Sequence, residues 1–153
     1  MVATEPKARY LVRAANLADA AEIARLAGEL GYPAEGKAMA SRLERLLDRA
    51  QDLILVAFAG ENENRLLGWI AAEARTPLVA TPRVEIMGLV VDETARKSGV
   101  GKRLVAAVED WAKEHGVRDV VVRSNVLREE SHPFYEHLGY HRAKSQHVYH
   151  KEL

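Results

Sequence analysis

Apolar positions in this chain change period several times, and each change predicts an element. Ile23, Leu26, Ala27 and Leu30 recur at helical spacing after Asn16, a residue suited to cap a helix start, and Gly31 and Pro33 stop the pattern. Met39, Leu43, Leu46 and Leu47 form a second stripe, with Arg42, Glu44, Arg45 and Asp48 turned to solvent. The period then shortens to that of strands. Asp52 to Ala59 (DLILVAFA) and Arg65 to Ala74 (RLLGWIAAEA) read as an antiparallel pair joined by the hairpin loop GENEN, Gly60 to Asn64. Tyr10 to Arg13 is a short strand-like opening. TPLVATPR, Thr76 to Arg83, carries two prolines that disfavour central pairing, so it reads as a loop or edge segment before the strand Val84 to Val91.

From Gly99 the helical period returns in Val100, Leu104, Ala107, Val108 and Trp111, ending near His115 and Gly116. Asp119 to Arg123 (DVVVR) comes next as a buried type of strand. Strand, glycine turn, helix, strand is a βαβ-like unit, and its right-handed crossover leaves the two strands parallel. Ser131 can cap a short helix with Pro133 in its first turn, Gly139 closes it, and Tyr140 onward reads as strand again. Trp69 and Trp111 lie on apolar stripes and are assigned to the core. The expectation is one α/β domain over residues 1–153 with a mixed sheet.

Composition sets limits on what such a domain can do. With 153 residues and 48% apolar, the chain can build one well-cored domain. Its 22 Lys and Arg balance 22 Asp and Glu, which argues against nucleic acid or an anionic membrane as partner and makes any anion site local. The chain has no Cys, which removes disulfides, thiolate metal sites and cysteine nucleophiles. No signal-peptide pattern and no run near the roughly 20 apolar residues of a membrane span occurs, so a soluble, cytoplasmic protein is expected.

VVDETARKSGVGKRLV, Val90 to Val105, places two glycines at the predicted start of a helix. A Walker A loop needs Gly at position 96 and Ser or Thr at 103, where Arg96 and Arg103 stand. A dinucleotide fingerprint needs a small residue at 104, where Leu104 stands. What survives is a helix N-terminus whose first N–H groups lack internal partners, bracketed by Arg96, Lys97, Lys102 and Arg103. A polyphosphate fits that arrangement better than a bare turn with ordinary surface cations, the alternative that spacing alone leaves open.

Arg96-x-x-Gly99-x-Gly101 after a strand resembles the acyl-CoA pyrophosphate loop of the GCN5-related N-acetyltransferases, the GNAT superfamily. SHPFYEHLGY, Ser131 to Tyr140, is similar to the FYE-x-LGF element of that family's late helix. The resemblance covers nearly the whole chain. It implies an α/β (α+β) fold with a mixed, mostly antiparallel sheet of about six to seven strands, splayed between the fourth and fifth and flanked by helices. It further implies acetyl-CoA as co-substrate, with the pantetheine arm in the splay. Main-chain groups at Leu89, Val90 and Val91 would hold the thioester and pantetheine. Those of Arg96, Lys97, Ser98, Gly99, Val100, Gly101, Lys102 and Arg103 would take the pyrophosphate.

Acetyl transfer from a thioester to an amine needs a neutral amine, a donor for the developing oxyanion and a proton for the departing thiolate. Tyr135 matches the tyrosine of the FYE element and is the expected acid and a cofactor contact; a phenol of pKa about 10 lies near a thiol of about 8.5. Asn125 matches a polar position that contacts the pantetheine or an ordered water. Glu85 stands where one branch of the family carries its general base, and otherwise reads as a strand-end charge paired with Arg83. His132 is the competing base. Six histidines raise the question of a metal, but the spacing of His137, His141, His147 and His150 does not suit one, and no metal is expected.

The tail after Gly139 has fourteen residues, YHRAKSQHVYHKEL, short for the family's two closing strands with a turn between them. A neighbouring subunit could complete that side, as in a homodimer. The expected activity is acetyl transfer to a primary amine of a small molecule or a protein by direct attack in a ternary complex. The alternative is a non-catalytic acyl-CoA-binding sensor or scaffold.

Overall fold

The computed structural model describes residues 10–29, 31, 35–123 and 131–153. Strand β1 (Tyr10–Ala14) leads through a 3-10 turn (Leu17–Asp19) into α1 (Ala20–Glu29) and then α2 (Gly36–Leu47). Strands β2 (Asp52–Ala59), β3 (Asn62–Arg75) and β4 (Arg83–Val91) come next, then a second 3-10 turn (Glu93–Ala95), α3 (Val100–Glu114), β5 (Asp119–Val122) and α4 (Ser131–His137). The chain forms two compact units, one ending at Val122 and the other beginning at Arg123.

The first unit carries a five-stranded sheet in the order β1-β2-β3-β4-β5. Every pair is antiparallel except β4 and β5, which are parallel, as the crossover through α3 requires. Entry into α1 is set by a capping box: Asn16 Oδ1 accepts from the Ala18 N–H at 2.9 Å, while Asp19 Oδ2 accepts from the Asn16 N–H at 2.9 Å. Asp19 also holds Arg13 of β1 through two hydrogen bonds of 2.8 and 2.9 Å. Burial raises its carboxyl, but the bonds from Arg13 and Asn16 outweigh that, and the net shift is downward.

Ile23 and Leu26 of α1 and Leu43 of α2 pack with Ile54, Val56, Phe58, Leu66 and Val90 of the sheet. Helix α3 buries Val100, Leu104, Val105, Val108 and Ala112; of the stripe expected from its period, Val100, Leu104 and Val108 are buried, while Ala107 and Trp111 are only half-buried. Its first turn comes down on Gly68 of β3. A Cβ there would lie 2.8 Å from the Val90 carbonyl oxygen and 3.2 Å from Val100 Cγ1. The absence of a side chain at position 68 therefore sets how closely the start of α3 approaches the sheet. Trp69, next in the strand, packs its ring over Gly88, where a Cβ would meet it at 2.9 Å. Trp69 and Trp111 are half-buried: Trp69 packs against the core cluster, and Trp111 lies against the His115 ring at 4.7 Å between centroids.

Two features of β4 prepare the site. Its register with β3 steps from Ala71↔Gly88 to Ala72↔Ile86, which leaves Met87 as the extra residue of a bulge, 59% exposed. Its parallel pairing with β5 runs from Arg83↔Asp119 to Ile86↔Val122 and stops, while β4 itself continues to Val91.

The structure corrects the expectations from sequence in two places. The β2–β3 hairpin turns at residues 60–61 instead of 60–64, because Ala59 already pairs with Asn62. The described residues hold five strands, fewer than the about six to seven expected. The missing strand is the one expected from Tyr140 onward. No strand is assigned over 140–153, and Val148 and Tyr149 are each 91% exposed. A strand exists only against a partner edge, and among the described residues no strand is paired with this stretch, whatever its composition.

Gly68→Ala is expected to lower the unfolding free energy by about 1–3 kcal/mol, because the added methyl would push α3 off the sheet. Urea denaturation at neutral pH measures it, and an unchanged midpoint would mean that α3 does not rest on Gly68.

Candidate active site

The predicted pyrophosphate loop lies between the end of β4 and the start of α3. Its entrance is Asp92, 2% exposed, whose Oδ1 accepts from the Thr94 N–H at 2.9 Å and from Thr94 Oγ1 at 2.8 Å. That side chain caps the 3-10 turn Glu93–Ala95. The turn is followed by Arg96 in extended conformation, Lys97 at φ 65° and Gly99 at φ 92°. Lys97 is the only non-glycine residue with positive φ among the described residues, a conformation that costs an L-residue free energy. Ser98 Oγ donates to the Ala95 carbonyl, and the Tyr10 hydroxyl donates to the Gly99 carbonyl at 3.1 Å.

Gly99 is the N-cap of α3 and has no side chain with which to cap it. The first-turn N–H groups of the helix, at Val100, Gly101 and Lys102, therefore have no side-chain acceptor at the helix start. Val100 and Gly101 are buried against the sheet, whereas Arg96, Lys97, Ser98, Gly99, Lys102 and Arg103 are exposed around that end. Donor groups and the positive end of a 15-residue helix meet at one point, with Arg96, Lys97 and Lys102 exposed beside it, which is the chemistry an anionic phosphate group calls for; Arg103 lines the groove along α3 with Leu53, Leu55 and Trp111.

Leu89, Val90 and Val91 lie on the part of β4 beyond its last pair with β5. One edge of this segment is paired with β3, through Ile70↔Leu89, Trp69↔Val90 and Gly68↔Val91. Among the described residues, its other edge has no strand against it. Backbone N–H and C=O groups on such an edge are available to an extended amide-bearing ligand.

Glu85 lies on the other half of β4, opposite Val121 of β5, and is 1% exposed. Its Oε2 accepts from Arg75 Nη1 at 2.9 Å, a partner from β3 in place of the same-strand pairing with Arg83 that spacing suggests. In the register Glu85 lies opposite Glu73, and Arg75, two positions along β3 on the same face, is within diagonal reach of it. Arg75 and Arg83 also line an open cleft of about 230 Å³ together with Gln51 and Glu73.

In the second unit, Tyr135 sits in α4 with its ring in edge contact with Phe134 at 5.1 Å and with Tyr140 at 6.0 Å between centroids. The turn at Gly139, φ 94°, brings the Tyr140 N–H onto the Tyr135 carbonyl at 3.0 Å, which folds the LGY segment back on the helix. Burial pushes the Tyr135 phenol up from its ordinary 10.0. His132 is half-buried in the first turn of the same helix. Asn125 lies outside the described residues. Among the described residues, no group of three or more His, Asp or Glu is placed to hold a metal ion.

Three residues that spacing does not single out shape this site: Tyr10, Arg25 and Asp92. Arg25 of α1 donates through Nη1 to Asp92 Oδ2 at 3.0 Å, 67 positions away. Nothing in the local pattern marks that contact, since α1 simply shows Arg25 on its polar face. Asp92 alone carries a signal, as an Asp two residues before a Thr at a strand end.

Comparison with known proteins agrees with this geometry. The model of the acetyltransferase (GNAT) family matches residues 18–140. An aminoglycoside N(6')-acetyltransferase type 1 of Acinetobacter genomosp. 13 is 27% identical over 120 residues, covering 76% of this chain and 81% of that protein. The protein of the same name from Stenotrophomonas maltophilia is 28% identical over 144 residues, 92% of this chain and 89% of that one. Among solved structures, the aminoglycoside 6'-N-acetyltransferase AAC(6')-Ih of Acinetobacter baumannii shares the fold with a TM-score of 0.83 at 20% identity, covering 95% of this chain and 99% of that one. The matched span runs from α1 through the LGY turn and takes in both the glycine loop and the FYE element. The chain therefore belongs to the GNAT acetyltransferase family, as an N-acetyltransferase that uses acetyl-CoA.

Proposed function

We propose that this N-acetyltransferase modifies a primary amine of a small polycationic molecule, an aminoglycoside with a free 6'-amino group. The carrying observation is that the Acinetobacter and Stenotrophomonas relatives are both aminoglycoside N(6')-acetyltransferases and are covered over 81% and 89% of their length. Acetyl-CoA supplies an activated acetyl thioester. Everything else is done by this chain's residues. The N–H groups and cations of Arg96, Lys97, Ser98, Gly99, Val100, Gly101, Lys102 and Arg103 hold the pyrophosphate, and the outer edge at Leu89, Val90 and Val91 orients the pantetheine and thioester carbonyl. Asn125 belongs to the same cofactor contacts.

Tyr135 keeps a proton at Oη for the departing sulfur. Of the two expected bases, Glu85 is enclosed and held by Arg75, while His132 is half exposed, so His132 receives the amine proton and Glu85 supplies a fixed negative charge. Residues 1–153 act as one functional domain in this reading. The exposed Val148, Tyr149 and Leu153 of the tail favour a homodimer that covers them. A cytoplasmic location completes the proposal: no described helix is long and apolar enough to cross a membrane.

Thiol release from acetyl-CoA is expected with aminoglycosides that bear a 6'-amino group and is expected to fall to background with their 6'-hydroxyl counterparts. Turnover with other amines and none with any aminoglycoside would overturn the acceptor assignment. Tyr135→Phe should lower kcat by more than about tenfold with acetyl-CoA affinity little changed. An acid works only while protonated, and burial raises this phenol above 10.0, so the alkaline loss of kcat that it governs lies above pH 10. That limb should vanish in Tyr135→Phe, and an unchanged profile in the variant would remove Tyr135 from this role.

A further inference from the structure

We infer that Arg25, on the outer side of α1, is a positioning residue for acetyl-CoA, holding the pyrophosphate loop in its binding shape through the buried carboxylate of Asp92. The inference rests on the reading of Arg96 to Arg103 as the pyrophosphate site, and adds a residue from a different element to it.

The two oxygens of Asp92 divide their work. Oδ1 faces the loop, taking both donors of Thr94, and Oδ2 faces away from it, taking Arg25 Nη1 at 3.0 Å with Arg65 Nη2 at 3.8 Å. Arg25 is in turn fixed by other partners. Its Nη2 donates to Glu22 Oε2 at 2.7 Å and to the Leu66 carbonyl at 3.2 Å, and its Nε donates to Glu22 Oε2 at 3.0 Å. The same Glu22 oxygen accepts from the Leu66 N–H at 3.3 Å.

Leu66 lies where the register between β2 and β3 slips, Ala57 pairing with Gly68 and Phe58 with Leu66. Both backbone groups of Leu66 are thus met by an acid and a base from one face of α1. Arg25 ties three elements, α1, the bulged part of β3 and the end of β4, with a planar guanidinium that a lysine could not replace geometrically.

Rigidity at this root matters because the loop beyond it is contorted. Within seven residues of Asp92 the chain makes a 3-10 turn, a left-handed Lys97 and a left-handed Gly99 before α3 begins. A strained path of this kind persists only where its ends are held. Tyr10 holds the exit through Gly99, and Asp92 holds the entrance. Arg96 is also within 4.0 Å of Glu29, one turn along α1 from Arg25. Burial raises the Asp92 carboxyl, yet the donors from Thr94 and Arg25 outweigh burial and lower it overall, in accord with a charge kept ionised in place.

The test uses two donors that differ in the 3'-phosphoadenosine diphosphate portion, of which the pyrophosphate is the part the loop would hold. Dissociation constants for acetyl-CoA and for S-acetylpantetheine, which retains the thioester arm and carries no phosphate, are measured by calorimetry on the wild type, Arg25→Met, Arg25→Lys and Asp92→Asn. The wild type should prefer acetyl-CoA strongly. Loss of a charge-assisted bond at the loop root should cut that preference by about tenfold or more in Arg25→Met and Asp92→Asn, with partial recovery in Arg25→Lys. Should Arg25→Met fail to fold, as circular dichroism would reveal, Asp92→Asn decides, since its side-chain oxygen still accepts from Thr94. An unchanged preference in a folded variant, or equal weakening of both ligands, overturns the role of Arg25. A wild type without preference overturns instead the reading of the loop on which the inference rests.

Discussion

The passage from β4 into α3 depends on one buried carboxylate that two parts of the molecule share. Asp92 is almost inaccessible to solvent, and a charge there is tolerable only because Thr94 and Arg25 both donate to it. Its position fixes the direction in which the chain leaves the sheet. The left-handed residues Lys97 and Gly99 then turn the backbone so that α3 begins with its N–H groups uncapped, and Gly68 lets the first turn of that helix settle on β3. Local strain and a missing side chain are costs to stability. They are offset by the apolar stripe of α3, from Val100 to Ala112, which is nearly all buried.

β4 serves two purposes along its length. From Arg83 to Ile86 it is a central strand, paired on both sides, with Val84, Glu85 and Ile86 all buried. The bulge at Met87 then shifts its register, and beyond it only the β3 side is paired by a described strand. Rigid pairing in the first half supports open backbone groups in the second. The Arg75–Glu85 pair belongs to the rigid half, where it helps to compensate a buried charge.

Much of this is legible from spacing. β2 and β4 show alternating or continuous apolar runs and match their expected extents to within a residue, because their side chains are chosen by the core on which they pack. The start of α3 is legible for another reason: the left-handed backbone at Gly99 favours glycine, and Gly101 is buried in the first turn that follows. The tail illustrates the limit. HVYHKEL has the composition of a strand, yet pairing depends on an edge elsewhere, and composition holds no information about that edge. Arg25 and Asp92 illustrate the same limit for charges, since 67 positions separate them and each alone looks like an ordinary polar residue. Spacing offers Glu85 a neighbour on its own strand, while the structure pairs it with Arg75 across the hairpin.

The central proposal is that the N-terminal end of α3 holds the pyrophosphate of acetyl-CoA. A titration of the 15N-labelled protein with coenzyme A, monitored by amide chemical shifts, tests it most directly. The largest changes are predicted on the backbone amides of Arg96 to Arg103, led by Gly99 and Gly101, with a second set at Leu89 to Val91. Saturable binding with those amides unmoved, and the changes concentrated on other elements, would contradict it.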